Sequence, residues 1–314
     1  MKVFKNWTAI FAIFLFFVAV LSCGKEEESQ KVDLDKKTSD VSRLVKTTDM
    51  GKSLTFCFDC RLDPQEEIKI YGSFLDYLEK ETGLDLTLLF SEDYRKTIEN
   101  IGTGKAQFAI IGGLSFLKAE HDHGVRMLVK GLDQNGKGDY QAAIIVKKSS
   151  PIKKLSRLKG RSFAFGSKYS TQGHLIPRYM LEKEGILLDD LKKYSFTGSH
   201  WNCARAVIKG DASAGGIQDS LAFGLEKDES IRIIAISDYY PRSGIAVNKD
   251  VPEKIADKVK RALLRFDPAG KHKDGLINWD KTEMSGGFSD VKPQDYDVLK
   301  KIAEKYRLLG DDLK

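Results

Sequence analysis

Short apolar runs alternate with helical patterns along most of this chain, and this alternation limits the folds that it can adopt. The first run, 53–58, is followed by a helical pattern that begins near Pro64 and ends before Gly83. Further predicted strands lie at 84–90, 106–111, 142–146, 162–165, 212–217, 231–236 and 244–247. Strands that alternate with helices predict an α/β fold with a parallel sheet, in which ligands bind beyond the carboxyl ends of the strands.

The α/β pattern starts again in the middle of the chain, which indicates two units. The second unit is inserted into the first, and the chain crosses between them near 140–143 and 240–245. We therefore predict two α/β lobes with a hinged central cleft. Lobe 1 comprises 53–142 and 244–314, and lobe 2 comprises 143–243.

The N-terminal segment is typical of an export signal. Lys2 and Lys5 precede an apolar run at 7–21 that is too short to span a bilayer comfortably. The run ends in VLSCG, which resembles a bacterial lipobox. We predict a lipoprotein signal peptide at 1–22 with lipidation of Cys23; a plain secretory signal with an incidental cysteine is the alternative.

The segment that follows, 23–52, is polar and almost free of aromatic side chains, which predicts a flexible tether between the lipid and the folded body. The net charge falls from +6 to +4 when Lys2 and Lys5 leave with the signal peptide, and the remaining charges are interleaved. This pattern is not that of a nucleic-acid-binding protein. We expect a monomer without cofactor or metal, exported and lipid-anchored on the periplasmic or outer cell-surface side of a membrane.

A strand-to-helix turn within 161–185 is the best candidate for a binding site. The predicted strand SFAF stops at Gly166, and the tetrapeptide STQG at 170–173 leads into a helix. Ser170 suits the N-cap, and the unpaired N–H groups of the residues after it favour an anion. An ordinary helix cap with nothing bound is the alternative.

Several motifs in one order resemble the phosphate/phosphite/phosphonate-binding subunit of ABC transporters. They are LTFCFDCRLDP, DYRKTIENIGTGKAQFAIIGG, GDYQAAIIVKKSSPIKKLSRLKG, FAFGSKYSTQGHLIPRYML and FTGSHWNCARAV, followed by Asp219. The resemblance covers about 53–310. It implies a type II periplasmic-binding-protein fold that closes on a small oxyanion, and a permease with its ATPase as partners.

The resemblance also implies a set of ligand-binding residues. They are Tyr94, Tyr140, Ser170, Thr171, Gln172, His200 and Asp219. Gln172 departs from the family's usual second serine, because it keeps the backbone N–H but adds a bulky amide. Some family members that take aminoalkylphosphonates have a second acid near the crossover, whereas 240–247 contains none here. This difference favours phosphate, phosphite or a short alkylphosphonate as the ligand.

The chemistry of these residues fits an oxyanion, although each has a structural alternative. Asp219 would repel a dianion, so we expect it to accept a hydrogen bond from a protonated P–OH group. His200 donates a hydrogen bond in either charge state. Taken alone, Asp219 could be a helix N-cap, His200 a satisfied loop histidine and the two tyrosines core aromatics. We expect His174, next to the turn, on a helix surface.

Three cysteines besides Cys23 form an odd set for an exported protein. Cys57 and Cys60 end the first strand, and Cys203 lies one turn into the helix after His200. The thiols could bind a soft oxyanion such as arsenite, and the protein could then act with a membrane sensor. A local disulfide between Cys57 and Cys60, or simple burial, is the alternative.

Three functions compete for this sequence. The first is a lipid-anchored solute-binding protein that captures a small phosphorus oxyanion and delivers it to an ABC permease. The second is a hydrolase that uses Ser170, His200 and Asp219 as a triad, but the chain has no G-x-S-x-G elbow. The third is a sensory partner that reports to a kinase. We predict the first, and no enzyme activity.

Overall fold

The computed structural model of the protein describes residues 53–61 and 64–310. The predicted signal peptide at 1–22, the tether at 23–52 and the lipidation site Cys23 lie outside these residues. Among the helices of the described ranges, none has the length and apolar character needed to cross a membrane.

Most of the strands belong to two large sheets. In chain order they are β1 (Ser53–Phe58), β2 (Asp85–Leu89), β3 (Phe108–Ile111), β4 (Arg126–Leu132), β5 (Asp139–Tyr140), β6 (Ala142–Lys147), β7 (Ser162–Phe165), β8 (Lys193–Phe196), β9 (Ala214–Gln218), β10 (Ile231–Ile236), β11 (Tyr240–Pro241), β12 (Gly244–Val247) and β13 (Gly287–Asp290). A six-stranded sheet has the order β13-β4-β12-β3-β1-β2, and a five-stranded sheet has the order β10-β6-β9-β7-β8.

Helices cover the faces of both sheets. They are α1 (Pro64–Thr82), α2 (Tyr94–Gly102), α3 (Gly113–His123), α4 (Ile176–Lys183), α5 (His200–Lys209), α6 (Asp219–Lys227), α7 (Glu253–Leu264) and α8 (Asp297–Lys305). A π-helical turn, Thr171–Leu175, leads directly into α4.

Both sheets are mixed, which corrects the prediction of a parallel sheet. Strand β1 pairs in parallel with β2 and β3, but β12 runs antiparallel to β3 and β4. In the second sheet β7 is parallel to β8 and β9, whereas β6 is antiparallel to β9 and β10. Parallel neighbours need a long crossover connection. Strands β6 and β12 instead enter their sheets directly after short crossing strands, so their directions are reversed.

The chain crosses between the two sheets twice, where the sequence predicts it. Strands β5 and β11 pair antiparallel, with Tyr140 opposite Tyr240. Strand β6 begins immediately after β5, and β12 begins three residues after β11. The six-stranded sheet therefore defines one lobe and the five-stranded sheet the other, while the limits predicted at 142/143 and 243/244 stay a prediction.

Two helices show how local contacts set a helix start and a buried face. Asp93 caps α2 by accepting a hydrogen bond from the Lys96 N–H at 2.7 Å. Ser91 is buried and accepts a hydrogen bond from Asn100. In α8 Val298 is exposed, and the residues that pack on the core are Leu299, Ile302 and Ala303.

Candidate functional site

A small cavity lies where the carboxyl ends of β1, β3 and β7 meet the crossing strands, and we call it the inner cavity. Its lining residues are Arg61, Tyr94, Gly112, Tyr140, Ser170, Thr171, Gln172, His200, Ser243 and Glu283. Its volume is about 10 Å³, which is about the space of one water molecule. A tetrahedral oxyanion is larger, so the walls must separate to admit one.

The turn after β7 contributes two hydroxyl groups to the inner cavity. Ser170 is the N-cap of the π-helical turn, and its Oγ accepts a hydrogen bond from the Gly173 N–H at 2.9 Å. The Ser170 hydroxyl hydrogen therefore stays available to a ligand. The N–H groups of Thr171 and Gln172 belong to the first turn of a helix, where no intrahelical partner exists. The N-cap and the turn lie where the sequence predicts them, and anion binding there stays a prediction.

Glycine is required at position 173 because the chain approaches itself closely there. A Cβ atom on Gly173 would lie 3.1 Å from the Gly166 Cα and 2.9 Å from the Ser170 Oγ. It would also lie 3.1 Å from the His200 ring. The glycine thus holds the turn, the strand end and the histidine together.

His200 is a neutral donor in this structure. It is the first residue of α5, a helix that is capped by Ser199. The Gln218 N–H donates to the His200 Nδ1 at 3.2 Å, so the ring proton lies on Nε2. Burial lowers the pKa of His200 to about 4, so the imidazole is uncharged near neutral pH.

Both predicted tyrosines line the inner cavity. Tyr94 is the first residue of α2, in the lobe of the six-stranded sheet, and Tyr140 lies in the crossing strand β5. Both side chains are buried, and burial raises the pKa of each phenol above its ordinary value. The two hydroxyl groups therefore keep their protons and act as neutral hydrogen-bond donors.

Asp219 is not among the residues that line the inner cavity. Its Oδ2 accepts from the Gln141 N–H at 2.9 Å, and its Oδ1 accepts from the Ser220 N–H at 2.7 Å. The Gln172 amide turns the same way and donates to the Gln141 carbonyl at 2.8 Å. The Gln172 amide, which stands where the family usually has a serine, thus links Asp219 to the crossing segment at Gln141. The Asp219 carboxylate stabilises the backbone of that segment.

Four lining residues were missed by sequence reasoning: Arg61, Gly112, Ser243 and Glu283. The Arg61 Nη1 lies 2.5 Å from the Glu283 Oε2, and both side chains are 7% exposed. The Ser243 hydroxyl donates to the same oxygen. Arg61 lies three residues after β1, at the carboxyl ends of the strands, where ligands were expected. Its position in the sequence could therefore have indicated a site residue. Glu283 lies 222 residues further on, and nothing in the local pattern linked them.

The cysteines do not form a common site. Cys57 and Cys203 are buried free thiols in different apolar clusters, and neither lines the inner cavity. Cys57 is therefore in no disulfide with Cys60. Burial raises the pKa of both buried thiols, so they stay protonated. Cys60 is half-buried and lines a wider groove of about 470 Å³ with Trp201 and Arg205, which we call the outer groove.

His174 also differs from the expectation, because it is buried rather than on a helix surface. Its Nδ1 lies 2.7 Å from the Lys168 carbonyl and donates to it, and its ring packs edge-on against Phe165 and Phe196. It supports the turn from behind and does not line the inner cavity.

Known proteins share both the sequence pattern and the fold. Residues 56–296 match a family model described as ABC transporter, phosphonate, periplasmic substrate-binding protein. The phosphate-import protein PhnD of Mycolicibacterium smegmatis is 23% identical over 256 residues, which cover 74% of this chain and 79% of that protein. The probable ABC transporter phosphite binding protein PhnD1 of Prochlorococcus marinus is 26% identical over 256 residues, which cover 76% and 84%.

A solved structure of PhnD1 from Prochlorococcus marinus in complex with methylphosphonate has a TM-score of 0.73 to this chain at 19% identity, with 82% of this chain and 98% of that one covered. The predicted type II periplasmic-binding-protein fold is therefore confirmed. The relatives are transport proteins and not enzymes, as predicted. The chain belongs to the family of periplasmic substrate-binding proteins of ABC phosphonate transporters.

Proposed function

We propose that this protein captures a small phosphorus oxyanion in the inner cavity and delivers it to an ABC permease. The ligand is phosphate, phosphite or a short alkylphosphonate. The observation that carries the proposal is the convergence of hydrogen-bond donors on a very small space. Donors of this kind hold an oxyanion without a full countercharge. Relatives named for phosphate import and phosphite binding agree with this assignment.

The donors come from both lobes, which suits capture by closure. Ser170 and Thr171 each accept one backbone N–H, and the hydroxyl hydrogen of Ser170 is available to a ligand. The Thr171 hydroxyl also makes a hydrogen bond with the Tyr140 phenol. His200 offers its Nε2–H, and the phenols of Tyr94 and Tyr140 add two further donors. Neutral donors that converge on one point favour an anion over a cation or an apolar ligand.

The predicted lipid on Cys23 would keep the protein at the cell envelope. The polar segment 23–52 then lets the two lobes reach a permease without detaching from the membrane. A permease and its ATPase are the proposed partners, and a monomer is sufficient because one chain supplies every lining residue of the inner cavity. Mass spectrometry of the membrane-bound protein, with Cys23→Ser as the comparison, tests the anchor: the variant should lose both the lipid mass and the membrane association.

Calorimetric titration and thermal unfolding with phosphate, phosphite, methylphosphonate, aminoethylphosphonate, sulfate and arsenite test the ligand. A ligand at about 100 times its dissociation constant adds roughly 2.7 kcal/mol to the free energy of unfolding. We expect stabilisation by at least one of the first three compounds. Ser170→Ala should abolish it. Ser150→Ala is the matched control, because that hydroxyl also accepts a local N–H but lies outside the inner cavity.

Three outcomes would contradict the proposal. One is a response to none of the phosphorus compounds, and a second is equal responses of the two serine variants. A third is a response to arsenite alone that disappears when the thiols are blocked, because this would move the function to the cysteines.

A further inference from the structure

We propose that Glu283, held against Arg61, is the hydrogen-bond acceptor that selects a monoprotonated oxyanion and rejects a fully deprotonated one of the same shape. This inference rests on the proposed function, because it assigns the protonation state of the ligand in the same cavity. The sequence pattern gave this role to Asp219. The structure gives it to a residue that belongs to no motif.

The free oxygen of Glu283 is the first observation. Both hydrogen bonds that reach this carboxylate end on Oε2, from the Arg61 Nη1 and from the Ser243 hydroxyl. Within the described residues no group donates a hydrogen bond to Oε1. An ionised carboxylate is an acceptor only, so Oε1 keeps its lone pairs for a hydrogen-bond donor. A ligand in the inner cavity can supply that donor through a P–OH group.

The balance of charge is the second observation. Arg61 and Glu283 are the charged side chains among the lining residues, and their charges cancel. Asp59 adds a buried carboxylate whose Oδ2 lies 3.6 Å from the Arg61 Nη2. A dianion would therefore meet no excess of positive charge, and one without a hydroxyl would place a bare oxygen against Oε1. A ligand with a hydroxyl avoids the second cost, and a monoanion lessens the first.

Arg61 completes the selection as a donor. Among the described residues its guanidinium makes one hydrogen bond, from Nη1 to Glu283, which leaves further N–H groups for the ionised oxygens of the ligand. Arg61 and Glu283 thus form an ion pair in which Arg61 donates hydrogen bonds to the ligand and Glu283 accepts one from it. The hydroxyls of the turn at 170–171 hold the remaining oxygens.

Several titratable groups belong to this ion pair or face it. In any pH experiment their titration has to be distinguished from that of the ligand. They are Arg61, Asp59, Glu67, Tyr71, Tyr94, Tyr140, His200, Asp219, Arg242 and Tyr296. Burial acts to raise the pKa of Glu283, but Arg61 and the Ser243 hydroxyl hold it below its ordinary value, so the carboxylate is ionised. Burial raises the pKa of Asp59 to about 6, so this group titrates in the working range and needs its own variant.

Titration calorimetry of the purified chain with phosphate, phosphite and methylphosphonate, from pH 5.5 to pH 8.5, tests the inference. For phosphite and methylphosphonate, whose dianions carry no hydroxyl, the dissociation constant should rise about tenfold per pH unit above the ligand's own second pKa. Phosphate should show a smaller rise, because its dianion still carries one P–OH group. The break should therefore differ between phosphite and methylphosphonate. A break at one fixed pH for all three ligands would assign it to a protein group and overturn the inference, and Asp59→Asn would identify that group if it is Asp59.

Glu283→Gln should flatten this slope and should also gain binding of sulfate, because an amide donates to an unprotonated oxyanion. Asp219→Asn is the matched substitution and should keep the slope, because Asp219 is outside the inner cavity. Retention of the slope by Glu283→Gln, or its loss in Asp219→Asn, would contradict the assignment. A thermal melt checks that each variant is folded; if Glu283→Gln is not, the ligand-dependent break in the unmodified chain still decides. No binding of any phosphorus oxyanion at any pH would sink the proposed function instead.

Discussion

The Leu114 N–H donates a hydrogen bond to the Thr171 Oγ1 at 2.8 Å, and this bond joins the two lobes. Leu114 lies in the first turn of α3, behind the six-stranded sheet, and Thr171 opens the turn that follows β7 of the five-stranded sheet. A backbone N–H at the N-terminus of a helix in one lobe thus donates to Thr171 of the other lobe, which also lines the inner cavity. Closure of the lobes and the geometry of the binding turn therefore depend on the same hydroxyl.

Thr171→Val should weaken closure, because it keeps the shape of the side chain but removes the acceptor. A buried N–H without a partner costs roughly 1–3 kcal/mol, so we expect a loss of that size in the free energy of unfolding. The radius of gyration from small-angle X-ray scattering should increase. Thr197→Val is the control, since its hydroxyl donates to the Phe165 carbonyl within one lobe. An equal change in radius for both variants would contradict the prediction.

Gly173→Ala should damage the binding turn. The new Cβ would lie 3.1 Å from the Gly166 Cα, which is backbone and cannot rotate away. We expect a loss of about 1–3 kcal/mol in the free energy of unfolding, together with weaker ligand binding in calorimetry. Gly224→Ala in α6 meets nothing within 4 Å and should stabilise the protein by up to about 1 kcal/mol. Unchanged binding in Gly173→Ala would show that the turn does not hold the ligand.

Acid should destabilise the protein through its buried histidines. Burial lowers the pKa of His174 to about 4 in the folded state, whereas an unperturbed histidine has a pKa of about 6.5. The unfolded chain therefore binds more protons between these values, so stability falls as pH falls from about 6.5 to about 4. One histidine with this shift contributes up to about 3 kcal/mol. His200 has the same direction of shift and adds to the loss.

His174→Phe should reduce this dependence on pH, because the new ring packs with Phe165 and Phe196 but takes up no proton. Chemical denaturation at a series of pH values measures the slope of the free energy of unfolding. If His174→Phe has the same slope as the unmodified protein, the buried ring of His174 is not the source of the acid sensitivity.

The three cysteines should differ in their reaction with a maleimide. Cys57 and Cys203 are fully buried, so they should react only after unfolding. Cys60 lines the outer groove between the lobes and should react in the folded protein. Ligand-driven closure should slow this reaction several-fold, as measured by mass spectrometry. Labelling of Cys60 at the same rate with and without a ligand that binds would contradict closure over the outer groove.

Much of the architecture is readable in the sequence because it depends on local periodicity. Apolar runs mark β1 and β7, the second of which stops at Gly166, and the helix cap marks the turn at Ser170. The two crossings between lobes were also predicted, since the α/β pattern visibly restarts there. The edge strand β13 and its neighbour β4 were missed because their sequences carry little alternation of polar and apolar residues.

The sequence by itself thus determined the family, the two lobes and the turn that lines the inner cavity, because each depends on short segments whose residues interact locally. The tertiary structure alone decided which carboxylate reaches the cavity. It brought Glu283 against Arg61 across 222 residues and turned Asp219 toward Gln141 and Gln172. Contacts of this kind follow from how two loops are folded over one cleft, and no spacing along the chain encodes them.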